Sequence, residues 1–92
     1  MISIKQFHEI YPDSNAFRKD FPPGYSFKWC DRKTKYHIVD YAVDQSTGTD
    51  LIILKAYNRN RRNWYYECMD TYVFYSTWEI LNREGIIKSK SL

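Results

Sequence analysis

The chain has 92 residues, 43% of them hydrophobic and 18% aromatic, with a formal net charge of +3 at pH 7. A chain of that length makes one domain, large enough to fold without staples while burying about two-thirds of its unfolded surface. The mildly basic balance permits an acidic partner without demanding one. Two cysteines exclude a disulfide scaffold, and no apolar run approaches membrane-spanning length. Met1 leads into Ile2, Ser3, Ile4 and Lys5 in place of a basic stretch with a long apolar one behind it. The expectation is a cytoplasmic protein with reduced thiols and no membrane partner.

In chain order, Ser3 to Gln6 fits a capping box, and Ile4, Phe7, Ile10 and Tyr11 follow at helical spacing until Pro12. Asp13 or Ser14 caps a second turn with Phe17 and Phe21 on one side and Arg18, Lys19 and Asp20 on the other. Pro22, Pro23 and Gly24 then break the chain. Residues 1–23 are therefore a predicted helical arm that packs on the rest of the chain.

From Gly24 the period becomes two. Tyr25, Phe27 and Trp29 alternate with Ser26, Lys28 and Cys30, the pattern of a strand with one buried face. A charged turn at 31–34 leads into a strand from Lys35 to Asp44. There Tyr36, Ile38 and Ala42 oppose His37, Val39, Tyr41 and Val43, so both faces are partly apolar and the strand is central or strongly bent. Residues 45–49 form a turn containing Gly48. Leu51 to Leu54 is the most hydrophobic run in the chain, and Trp64, Tyr65 and Tyr66 are its aromatic partner. Asn58, Asn60 and Asn63 tolerate turn conformations, which predicts an antiparallel hairpin with an arginine-rich tip.

Past Met69, Thr71 to Tyr75 suits a fifth strand or the first turns of a helix capped by Asp70. Ser76 to Glu79 is a second capping-box candidate, and Gly85 with Ile86 matches a Schellman helix end. The pattern predicts a helix over roughly 77–84, starting as early as Asp70, and 87–92 is expected to be a frayed tail. The predicted fold class is α+β: a small curled antiparallel sheet, or an SH3-like barrel, of four to five strands. The segments are a helical arm at 1–23, a meander at 24–70, a helix at 71–86 and a tail, all in a single domain. The expected core is Phe27, Trp29, Ile38, Val39, Ile53 and Leu54, with Phe7, Ile10 and Trp78 from the helices.

The residues Tyr36, Ile38 and Val39, then Thr47, Leu51, Ile52, Ile53, Ala56 and Tyr57, then Trp64, resemble a family of short bacterial and phage proteins with an SH3-like barrel. The similarity covers about residues 25–70 and leaves the arm outside it. It departs at Asn58, where that family tends to carry glycine, and after Trp64, where it tends to carry an arginine–proline pair. The resemblance implies a small barrel and supplies no activity.

Candidate chemistry is sparse. His8, Cys30, His37 and Cys68 could supply four zinc ligands, but their spacing fits no familiar finger. Cys30 with His37 across a hairpin is a candidate nucleophile pair, and Asp40 with Asp44 a candidate carboxylate pair. Buried or capped residues and solvated edge charges are the commoner origins of such patterns. Gly24, Gly48 and Gly85 are scattered and form no phosphate-cradling loop. The chain is expected to be neither an enzyme nor a carrier of a cofactor or metal.

The candidate binding surface is the hairpin: Lys55, Tyr57, Arg59, Arg61, Arg62, Trp64, Tyr65 and Tyr66. Tyrosine, tryptophan and arginine are enriched at binding hot spots, which suits a solitary protein-binding adaptor or inhibitor. By analogy with compact phage proteins, its target would be a host enzyme or defence complex. The alternative is single-stranded nucleic acid, RNA or DNA, with cations on phosphates and rings under bases. The partner is thus expected to be an acidic protein surface or a nucleic acid. Trp64 and Tyr66 share one face of their strand and Tyr65 the other, so the hairpin exposes either the pair or Tyr65.

Overall fold

Ser3 opens the first helix as its capping box predicts: Ser3 Oγ accepts the Gln6 N–H at 3.1 Å, and Gln6 Oε1 accepts the Ser3 N–H at 2.9 Å. The structure, a computed structural model, describes residues 2–29, 34–58, 60–85 and 87–90, with the backbone alone at 29, 58 and 87–90. Helix α1 (Ile4–Ile10) stops before Pro12, and α2 (Ser14–Asp20) begins on Asp13, whose Oδ1 accepts the Ala16 N–H at 2.8 Å. The strands β1 (Ser26–Trp29), β2 (Thr34–Val43), β3 (Asp50–Asn58) and β4 (Asn63–Asp70) come next, then α3 (Thr71–Arg83) and β5 (Ile87–Lys90).

The expected α+β fold is present. All pairings are antiparallel and the strand order is β4-β3-β2-β1-β5, which puts β2 in the middle, where a strand apolar on both faces belongs. The sheet is open. β4 and β5 end it on either side without pairing to each other, so the strands do not close into a barrel. The three helices among the described residues contribute to one core on a single face of the sheet, where they do the covering that a barrel's opposite wall would do.

One open choice is decided and two expectations are corrected. Of the two readings of residues 71–75 the helical one is found: Asp70 Oδ1 accepts the Tyr72 N–H at 2.7 Å and starts α3 directly after β4. Ser76 consequently sits inside the helix, buried and with its hydroxyl unpartnered, and caps nothing. The tail at 87–92 is not wholly frayed: residues 87–90 form β5, which pairs along β1 from Trp29↔Ile87 to Ser26↔Lys90 and covers an edge that would otherwise be bare. The helix does end at Gly85, whose φ of 74° is the left-handed value that glycine adopts without strain.

The core departs from expectation at one irregularity. The register of β2 against β3 slips between Ile38↔Leu54 and Asp40↔Ile53, so Val39 is the extra residue of a β-bulge. Tyr36 and Ile38 face the helices before it, and Tyr41, paired with Ile52, faces them after it. Val39 is therefore exposed. On β3 the buried residues are Ile52, Leu54 and Ala56, while Ile53 is only half-buried on the opposite face beside Asp40 and Cys68. Phe27, Ile38, Leu54 and Phe7 are buried as expected and Trp78 packs against them half-buried. Ile10 is exposed because Phe7 and Tyr11, four apart, define the inward stripe of α1. The Trp29 side chain lies outside the described residues.

Phe17, 1% exposed, is the hub of an aromatic cluster. Its ring lies 5.9 Å from Phe7, 5.1 Å from Tyr11, 5.0 Å from Phe21, 6.0 Å from Tyr41 and 6.3 Å from Phe74. Tyrosine hydroxyls at its rim tie the arm down: Tyr41 donates to the Phe21 carbonyl at 2.6 Å, and Tyr72 to the Ile2 carbonyl at 2.7 Å. Tyr11 donates to Asp20 at 2.9 Å. The Arg18 guanidinium bonds Asp50 at 3.0 Å and lies 4.9 Å over the Tyr41 ring.

Two outcomes are expected. Ile52, fully buried, should cost about 2–5 kcal/mol when truncated to alanine, and Ile53→Ala distinctly less, measured by urea unfolding. Equal losses would overturn this division of faces. The second concerns alkaline pH. Burial first of all raises the phenol pKa of Tyr11, Tyr41 and Tyr75 above the ordinary value, helped at Tyr11 by its bond to Asp20 and opposed at Tyr41 by Arg18. The unfolded chain then ionises first, so this stabilisation is complete below about pH 10 and is lost as pH rises beyond it. Ultraviolet titration followed together with circular dichroism should show these phenols ionising only as the chain unfolds. Ionisation of all nine tyrosines with the fold intact would contradict it.

Candidate functional site

The predicted hairpin is formed by β3 and β4, in continuous register from Leu51↔Asp70 to Asn58↔Asn63. Asn60, Arg61 and Arg62 are exposed at its tip, and Arg59 lies outside the described residues. Arg62 has a φ of 53°, the one non-glycine residue among those described in the left-handed region. That conformation costs an L-residue with a Cβ about 1–2 kcal/mol, and asparagine or glycine is its ordinary occupant. An arginine there is a departure from local preference.

Pairing across the sheet brings distant residues to the hairpin. On the face away from the helices, one row reads Trp64, Tyr57, Lys35 and Lys28, from β4 to β1. The adjacent row reads Tyr66, Lys55, His37 and Ser26. Neither contains a carboxylate. Four strands at their usual spacing make a strip about 14 Å across. Rings occupy its β4 end and lysines its β1 side.

Trp64 organises the aromatic end. Its ring lies 5.1 Å from Tyr57 and 5.6 Å from His37, and Lys55 Nζ stands 4.9 Å over it and 5.9 Å from the Tyr66 ring. Trp64 is 47% exposed and Tyr66 65%. Of the alternatives left by strand parity, the hairpin thus exposes Trp64 and Tyr66. Tyr65 is a correction to the candidate set: it pairs with the fully buried Ala56 on the inner face and packs against the core. Lys28, Lys35 and His37 are the positions that the hairpin alone does not reveal. Their signal is present in the sequence, since each sits next to an inward aromatic or Ile38 in the period-two runs of β1 and β2.

The acids nearest the tip arginines in sequence bond or face elsewhere. Asp50 bonds Arg18, Asp70 caps α3, and Asp44 accepts the N–H and hydroxyl of Ser46 in the β2–β3 turn. Those bonds, the hydroxyl's foremost, hold the Asp44 carboxyl below the usual carboxylate range. Glu67 pairs with Leu54 on the inner face. Asp40 accepts its neighbour Tyr41's N–H at 2.8 Å within β2, and Asp44 lies four residues on, about 13 Å along an extended chain, so the two do not make a carboxylate pair. No group of three metal-binding side chains gathers among the described residues, and Cys30 lies outside them, with the zinc and nucleophile sets that need it. No family model, curated protein or solved structure matches the chain.

If Arg62 is not required by the hairpin's own geometry, Arg62→Gly should keep stability or raise it by up to about 1 kcal/mol, by relieving the left-handed backbone. Thermal melting checks this, and a clear loss would mean that the arginine side chain holds the tip together.

Proposed function

We propose that the chain binds single-stranded nucleic acid across the outer face of its sheet. The observation that carries this reading is the pair of rows: exposed rings of Trp64 and Tyr66 at one end, Lys55, Lys35 and Lys28 beyond them, and no acidic residue in either. Exposed aromatics accept unstacked bases irrespective of sequence, and neighbouring lysines follow the phosphates. Lys28 stands directly opposite Lys35, a like-charge pairing that weakens a sheet unless an anion relieves it. Composition alone favours a protein partner. Lysines on two strands remote from the hairpin favour a polyanion.

The rows suit a strand whose bases stack on Trp64 and Tyr66 while its phosphates pass Lys55, Lys35 and Lys28. Duplexes bury their bases and would leave the rings unused. Arg61 and Arg62 extend the cationic surface past the edge of the sheet.

Anisotropy titrations of fluorescent oligo(dT) and oligo(U), at several salt concentrations, test this. Single strands should bind more tightly than a duplex of equal length. Trp64→Ala and Tyr66→Ala should each cost about 1–3 kcal/mol of binding with melting nearly unchanged. Lys28→Ala, Lys35→Ala and Lys55→Ala should each flatten the logarithmic salt dependence by about 0.7 for every phosphate the lysine neutralises. Binding that ignores salt and survives loss of both rings would remove nucleic acid as the partner and restore an acidic protein surface, the first expectation from composition.

A further inference from the structure

We propose that the open edge of β4 accepts an extended peptide of another protein as a sixth strand, one whose inward residues alternate bulky apolar side chains with a lysine or arginine. The two edges of the sheet differ. β5 has four residues, two of them lysine, which is how an edge is kept short and charged. β4 has eight residues, carries neither lysine nor proline, and runs in unbroken register with β3. Among the described residues no strand pairs with its outer side. It is a long edge whose one protective device is an inward-pointing charge, Glu67.

What lies behind that edge gives it a preference. A pocket of about 220 Å³ opens between β4 and α3, bounded by Met69, Val73, Thr77, Trp78 and Leu81. Glu67 stands in its wall, and among the described residues it has no ion-pair partner. An added strand bonds main chain to main chain whatever its sequence, and pockets for alternate side chains supply the selectivity. Its inward positions fall beside Tyr65, Glu67 and Met69, which share the inner face of β4. The position beside Met69 delivers an apolar side chain into the pocket. The position beside Glu67 meets a carboxylate and calls for a cation. This inner-side edge is separate from the outer rows of Trp64 and Tyr66 and does not depend on what those rows bind.

The probes are fluorescein-labelled peptides with threonine at outward positions and leucine, lysine, leucine at the three inward ones. They are compared by anisotropy with peptides carrying leucine, glutamate, leucine and serine, lysine, serine. The first should bind tightest, with the glutamate peptide about three- to tenfold weaker, as a cross-strand charge reversal gives. Glu67→Lys should invert the preference between lysine and glutamate. Thr77→Phe, which fills the pocket from an exposed helix position, should weaken the leucine peptides and leave the serine peptide unchanged. If Thr77→Phe fails to fold, the inversion by Glu67→Lys decides alone. Amide exchange along β4 should slow on binding. Failure of all three peptides to bind, or binding without any preference for charge, would overturn the proposal. So would sedimentation showing self-association with β4 amides protected in the absence of peptide, since the edge would then serve a second copy of this chain.

Discussion

The packing of Phe17 among the rings of the arm, α3 and β2 is the contact on which the rest depends. A small domain has little aliphatic material to spare, and each aromatic side chain brings a large buried area, with offset and edge-to-face contacts adding about 0.5–1.5 kcal/mol per pair. Phe17 meets rings from four separate elements or their flanks, so removing the arm would uncover Tyr41 and Phe74 and open one side of the core. The hydroxyls of Tyr41 and Tyr72 add polar latches to backbone carbonyls at Phe21 and Ile2. These bonds also solve a burial problem, because a phenol taken from water needs a partner. The arm is thus part of the core and not an appendage to it.

Because the helices supply one full side of the core, the opposite face of the sheet is released from any packing duty. Rings there are supported by neighbours in the same face, with Lys55 laid across Trp64 and Tyr66, and stay open to solvent. This arrangement accounts for a chain with more aromatic residues than its interior holds. It also places like charges side by side on β1 and β2, a local cost that the favourable burial on the other face outweighs.

Much of this is legible where local chemistry decides structure. Ser3 with Gln6, Asp13 and Gly85 mark helix ends through hydrogen bonds or backbone freedom that neighbours in sequence determine. The hairpin of β3 and β4 is likewise written in two apolar runs around an asparagine-rich turn. The features that escape the sequence are decided at a distance. Val39 looks like a core residue on composition, and only its pairing with β3 shows it to be the extra residue of a bulge. Residues 87–90 are too short and polar to read as a strand, and they form one because β1 offers an edge to complete. Lys28, Lys35 and His37 read as outward positions within their own runs, but only strand order, which no single segment encodes, brings them beside the hairpin. Tyr65 groups with the exposed rings on sequence proximity alone, since parity along β4 leaves the choice of face to the partner strand.

The bulge at Val39 has a meaning for how such a chain can change length. Side chains alternate with a period of two, so a strand with one surplus residue would turn Asp40 toward the core and send Tyr41 outward. The slip at Val39 absorbs the surplus, and the residues beyond it resume the correct faces, with Asp40 outside and Tyr41 beside Phe17. A chain lacking Val39 would run Ile38 and Asp40 opposite Leu54 and Ile53 in an uninterrupted ladder, with both halves of β2 unchanged in orientation. The central strand of this sheet can therefore gain or lose a single residue at that point without exchanging its interior for its exterior, a change that elsewhere along it would invert everything downstream.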